Sequence, residues 1–224
     1  MHDLTLILPT KKEVESLPKF LKELENYKCK KLIVLEKEDV ATKKAIENFN
    51  NIKILEQKNN GFGNALIEGI NSVDTMYCCI INADGSMDPK YLPEMRNLCE
   101  KKDFIFASRY QKPNGGSDDD DIVTVIGNYF FTFLGNLLFN LKITDILFLY
   151  TLGKTSSFRK LNLKSFDFRL CVEIPIKAKY LNMDYSCISS YERERIGGKK
   201  KVNPIKDGLL ILGEIVKYFF KNKN

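Results

Sequence analysis

Asn82, Asp84, Ser86 and Asp88 put an oxygen-bearing side chain at every second position of one short stretch. Oxygens in that number suit a hard divalent cation that is held partly by substrate phosphates, rather than by a closed protein cage. Residues 76–81, just before, form an apolar run that reads as a buried strand, and Pro89, just after, opens a helix. The oxygens therefore stand where a strand stops, which is where open α/β sheets bind ligands. A metal-bridged nucleotide site is one reading; an Asx-rich turn that closes the strand is the other.

Other chemistries have little to build on. The only histidine is His2, and the six cysteines show no CxxC or Cys/His spacing, which argues against structural zinc and against His-based catalysis. Cys78 and Cys79 fall inside the apolar strand pattern and read as small core residues. The net charge of +6 comes from lysines spread along the chain, denser from Lys199 onward. Such a basic end can attract phosphates, nucleic acid or an anionic membrane surface, and charge alone does not choose between them, although no nucleic-acid partner is expected from the chain as a whole. At 224 residues with 44% hydrophobic content, one core is expected to bury roughly 70 to 75% of the unfolded surface. No signal peptide or stretch of about 20 apolar residues is evident, so a cytoplasmic protein, placed at the cytosolic face of a membrane, is the expectation.

The elements that must position these residues follow from periodicity. Residues 4–8, 31–35, 52–55, 76–81 and 104–107 read as strands, with helical patterns after the first four, implying a mostly parallel sheet flanked by helices. Their C-terminal ends carry Thr10, Glu13, Glu36, Asp84 and Arg109, which should gather on one edge. Residues 110–121, with Pro113, two glycines and four consecutive aspartates, read as a mobile loop with a solvated, self-repelling acidic run. The apolar, aromatic segment 122–141 is expected to be a core helix, with lipid contact as the alternative. A short strand over 157–159, a helix over 170–181 containing Glu173 and a strand over 185–190 should follow. Residues 1–203 would then form the main domain, and 204–224 an amphipathic helix that either covers the sheet or lies in a membrane interface.

Pro9-Thr10 with Glu13, Gly61-Phe62-Gly63-Asn64-Ala65, Asn82-Ala83-Asp84, Ser108-Arg109-Tyr110 with Gly115-Gly116, Gly127-Asn128, Thr144-Asp145 and the basic stretch 193–203 resemble, in order and spacing, the family 2 glycosyltransferases. The dolichol-phosphate mannosyltransferase type is the branch they are most similar to. The resemblance implies a GT-A fold, Rossmann-like, and transfer of a hexose from a nucleotide sugar (GDP- or UDP-hexose) to a lipid acceptor, a polyprenyl (dolichyl or undecaprenyl) phosphate, with Mg2+ or Mn2+ and peripheral membrane contact. By family motif, Pro9, Thr10, Glu13 and Glu36 would lie against the nucleoside, and Gly61 and Gly63 would form the turn beside it. Asn82, Ala83 and Asp84 would meet the donor, with Asp84, Asn82 and Ser86 around the metal. Arg109, Arg193, Arg195 and Lys199 would meet phosphates of donor or acceptor. A phosphate acceptor is already ionised and needs no strong base; a saccharide hydroxyl, as in surface polysaccharide synthesis, would need one, and Asp145 and Glu173 are the candidates. The family commonly has an acid where Asn82 stands and arginines where Thr124, Val125 and Ile126 stand. Asn82, together with Leu35-Glu36-Lys37-Glu38 in place of the family's second-strand aspartates, motivates a further alternative, a catalytically silent module that binds a nucleotide sugar.

Overall fold

The computed structural model of the chain describes residues 1–198 and 203–221. Runs of branched and aromatic residues form β1 (Leu4–Thr10), β2 (Lys30–Leu35), β3 (Lys53–Glu56), β4 (Tyr77–Ile80) and β5 (Phe104–Ser108). With β7 (Thr151–Lys154) and β8 (Tyr185–Ser189) they make a seven-stranded sheet of order β3-β2-β1-β4-β7-β5-β8. Neighbours are parallel except β7, which runs antiparallel to both β4 and β5. A short parallel pair, β6 (Gly116–Ser117) with β9 (Tyr191–Glu192), stands beside this sheet.

Helices α1 (Ser16–Leu24), α2 (Val40–Ala45), α3 (Phe62–Ser72) and α4 (Leu92–Leu98) fill the crossovers. Alternating side chains of the strands feed two hydrophobic clusters, Ile7, Val34 and Ile80 in one and Leu6, Ile33 and Cys79 in the other. Period-2 alternation sends successive residues to opposite faces, so a sheet with both faces covered reads as a continuous apolar run. The strand expected over 157–159 is instead part of α6 (Thr155–Lys160). The extended segment is Thr151–Lys154, whose Gly153 lies against the Phe104 ring of β5.

Of the last long helices, α5 (Ile122–Phe139) departs from expectation and α8 (Pro204–Lys221) does not. α5 is not a core helix: only 28% of it is buried, and Ile122, Val123, Ile126, Tyr129, Phe133 and Leu137 are all more than half exposed. Its other side, with Asn128, Phe131, Thr132, Gly135 and Phe139, packs inward. On length and composition it is the one helix among the described residues that could cross a bilayer. α8 packs against α5 and α7 (Leu170–Tyr180) and contributes Ile211, Ile215 and Tyr218 to the shared core, while Ile205, Leu209 and Phe220 stay exposed.

Candidate active site

Thr10, Glu13, Glu36, Asp84 and Arg109 all line one cleft of about 540 Å3 at the C-terminal edge of the parallel strands. Asp84 sits in the turn after β4. Its Oδ1 accepts hydrogen bonds from the Ser86 backbone N–H at 3.1 Å and the Ser86 hydroxyl at 2.9 Å, while Oδ2 lies 3.7 Å from Arg195 Nη1. Asn82 and Asp84 are half-buried at the cleft, with buried Ala83 between them also on its wall. Ser86, expected as a metal ligand, is buried and spends its hydroxyl on orienting Asp84. Asp88 caps the following turn, accepting from the Lys90 N–H at 2.9 Å. No group of three or more His, Cys, Asp or Glu side chains could hold a metal among the described residues. The hard oxygens of Asp84 and Asn82 therefore fit a divalent cation only if ligand phosphates or water complete its shell.

Where the nucleoside was expected, Pro9, Thr10, Glu13 and Glu36 line the cleft, joined by Gln57 at the end of β3, which the sequence did not single out. Glu36 is paired with Lys11 at 2.8 Å. The Gln57 amide donates to the Asn59 carbonyl at 2.6 Å, holding the turn that leads to Gly61. Glu13 is buried and accepts from the Ser16 hydroxyl. Gly61 reaches the cleft with φ of +122°, but Gly63 does not line it. Gly63 instead donates its N–H to the Phe166 carbonyl at 2.9 Å, in a backbone approach too close for any Cβ.

Arg109 follows β5 and is 7% exposed. Its Nε donates to Asp145 at 2.8 Å, Nη2 to Asp145 and the Asn128 amide oxygen, and Nη1 to Asp120 and Glu192, both at 3.1 Å. All five N–H donors of the guanidinium are thus committed to protein acceptors, and the Phe148 ring lies 4.6 Å from its central carbon. Arg109 lines the cleft, but the donors expected to meet a phosphate are engaged by these protein acceptors. Asp145, nominated as a base, has a fully buried side chain beneath Arg109 and does not line the cleft. Glu192 does line it; burial pushes its carboxyl above the usual range, opposed by Arg109 and the Ser117 hydroxyl.

The run of four aspartates is only partly solvated, with Asp118 and Asp121 exposed and Asp119 and Asp120 half-buried, and each of the four meets a donor. Asp118 accepts from the Tyr191 hydroxyl, Asp119 pairs with Arg195, Asp120 binds Arg109 and the Tyr110 hydroxyl, and Asp121 caps α5 through the Thr124 N–H. Asp119, Asp120 and Asp121 form part of the cleft wall. Like charges coexist here because each meets a separate donor.

Arg193 does not line the cleft. It forks onto Glu23 of α1 at 2.9 and 3.1 Å and donates to the Gly85 carbonyl at 2.7 Å, strapping the Asp84 turn from behind. Arg195 does line it, held through Nε at 3.1 Å and Nη2 at 2.5 Å by Asp119. Lys199 lies outside the described residues. Glu173, the other nominated base, is fully buried away from the cleft and accepts from the Lys164 and Ser165 N–H groups, Lys177 and the Tyr218 hydroxyl. Burial pushes its carboxyl up, but hydrogen bonds from Lys177 and Ser165 outweigh that and hold it below the usual range. The thiols of Cys78 and Cys99 are pushed up to about 12 by burial, which removes them as nucleophiles.

Comparison with known proteins gives the family and the fold. The profile described as Glycosyl transferase family 2 matches residues 5–161, well over half of the chain. The chain belongs to that family. As a family 2 glycosyltransferase it is a sugar-transfer enzyme. Similar solved structures include glucosyl-3-phosphoglycerate synthase from Mycobacterium tuberculosis in complex with phosphoglyceric acid, 10% identical with a TM-score of 0.72 over 96% of this chain and 79% of that chain. The same enzyme with Mn2+ and UDP-glucose gives 9% identity and a TM-score of 0.71 over 96% and 78%. Its complex with Mg2+ and UDP gives 10% and 0.67 over 96% and 78%. At such identity the likeness establishes a shared fold. None of the curated protein sequences compared with the chain matches it.

Proposed function

We propose that the enzyme transfers a hexose from a nucleotide sugar to a polyprenyl phosphate, in the manner of the dolichol-phosphate mannosyltransferase branch, at the cytosolic face of a membrane. The observation that carries this reading is the two-ended cleft. From the polar turn at Asp84 it extends to apolar walls made by Leu147, Phe168, Cys171 and, from α8, Pro204 and Ile211. α8 packs on α5, and both helices present apolar side chains to the outside. Exposed apolar surface on that scale marks a partner or lipid contact, and an amphipathic helix with an apolar outer side can rest in a membrane interface.

Asp84 and Asn82 would hold Mg2+ or Mn2+ together with the donor diphosphate, and that cation would stabilise the negative charge of the nucleotide leaving group. Ser86 fixes the Asp84 rotamer, Arg193 fixes the turn that carries it, and Arg195 adds a cation beside it. Thr10, Glu13, Glu36 and Gln57 would bind the nucleoside of a UDP- or GDP-sugar. An ionised phosphate acceptor attacks without a general base, which accords with the burial of Asp145 and Glu173.

A second reading has its own support. Glu192, with its raised pKa, and Asp119, Asp120 and Asp121 make one cleft wall acidic, which suits a saccharide hydroxyl better than a phosphate. The deciding experiment offers UDP- and GDP-hexoses with Mn2+ to vesicles containing polyprenyl phosphate and, separately, to soluble saccharides. Sugar label that moves into the lipid fraction, and stays out when a chelator is present, is expected. Label appearing only in soluble saccharide supports the second reading, and donor binding with no transfer to either acceptor overturns both acceptor readings.

A further inference from the structure

Arg195 stands between two carboxylates of different standing. Asp84 is half-buried in the turn after β4, with Oδ2 3.7 Å from Arg195 Nη1. Asp119, from the acidic segment, grips the opposite edge of the guanidinium through Nε and Nη2 at 3.1 and 2.5 Å, a two-pronged fork that fixes its plane. The segment carrying Asp119 is itself anchored on both sides. Asp118 is held by Tyr191, Asp120 by Arg109 and Tyr110, Asp121 by the start of α5, and the Ser117 hydroxyl accepts from the Asp119 and Asp120 N–H groups at 3.1 Å. A long, rotamer-rich arginine is therefore set in one orientation, with Nη1 directed at the Asp84 end of the cleft.

We infer that Asp119 is a positioning residue for the donor diphosphate, acting through Arg195. The inference rests on the reading of Asp84 as the phosphate end of the donor site. It assigns a use to an acidic run that would otherwise oppose anion binding, since Asp119 gives up part of its own charge to the fork and presents the remaining guanidinium edge to the ligand. The physics provides a test of sign. Were Asp119 only a counter-charge in the cleft, removing it would make the site less negative and tighten diphosphate binding. As a positioning residue, its removal frees Arg195 and weakens that binding.

Calorimetry with Mn2+ and pyrophosphate, UDP or GDP as probes reads the outcome on the full-length protein. Asp119→Ala and Asp119→Asn should each weaken the bound probe roughly tenfold, as should Arg195→Ala, and the double variant Asp119→Ala/Arg195→Ala should be no weaker than Arg195→Ala alone. Asp119→Glu, which keeps the carboxylate, should recover part of the loss. Thermal melts should stay close to wild type, because the neighbouring aspartates retain the loop. Unchanged or tighter binding by Asp119→Ala, or losses that add in the double variant, would overturn the role of Asp119 while leaving the donor site standing. Failure of the wild-type protein to bind any of the three probes would overturn the donor-site reading, and this inference with it.

Discussion

Asp84 and Arg109 line the same cleft, yet they are built in opposite ways. Asp84 stands at a half-buried rim with one oxygen steadied by Ser86 and the other turned toward Arg195 at 3.7 Å. Arg109 is nearly buried, with every donor taken up by Asp145, Asp120, Glu192 and Asn128. A charge that keeps lone pairs at a wet edge can act on a ligand, whereas a charge whose capacity is spent inside the protein holds the wall in place. Residue type alone does not separate these roles; partner count and burial do.

The largest effect should come from the rim. Asp84→Ala is expected to lower transfer by about 10²- to 10³-fold, the scale of losing one group that stabilises transition-state charge. Its melting temperature should stay near that of the wild type; activity that survives would remove Asp84 from the chemistry. The Arg109 cluster should respond the other way round. Arg109→Ala strands buried carboxylates, at a cost of about 3–5 kcal/mol. For a chain of this length that lowers Tm by roughly 6–20 °C. Calorimetric melting measures it, and a Tm within a degree or two of wild type would break the contrast with Asp84.

Glu173 sharpens the same contrast at a smaller scale. Glu173→Gln should destabilise by about 1–3 kcal/mol at neutral pH, since a buried acceptor site is disrupted. Its folded-state pKa is lowered from the ordinary 4.5, so its contribution is complete above that value and lost as pH falls through the lowered one. The stability gap between wild type and variant, followed by denaturant melts across acid pH, should therefore close on acidification. A gap that persists unchanged would mean that the carboxylate charge is not what holds the loop. The smallest change in stability is expected for Phe133→Glu on the exposed side of α5, within about 0.5 kcal/mol. That variant should nonetheless reduce sedimentation with anionic vesicles, and equal sedimentation would detach α5 from the membrane reading.

Much of the cleft edge was legible in the chain. Alternating apolar runs and amphipathic stretches locate β1 to β5 and their crossover helices to within a few residues, because both periods are local properties. Asp84 follows from the same logic, since strand ends on one sheet edge collect whatever polar residues come next. α5 misled for a physical reason: its composition is apolar almost all round, so no periodicity told which side faced protein. The four aspartates misled because two of their donors, Tyr191 and Arg195, lie 73 and 76 positions away, beyond the reach of any local pattern.

By itself, then, the sequence determined the order of strands and helices as far as β5 and the place of Asp84, since backbone period, strand ends and turn residues act over a few positions. The tertiary structure alone decided which charges remain available to a ligand. Arg109 meets Glu192 across 83 positions and Arg193 reaches the Gly85 carbonyl across 108, and pairings over such spans depend on how the sheet closes rather than on any local pattern.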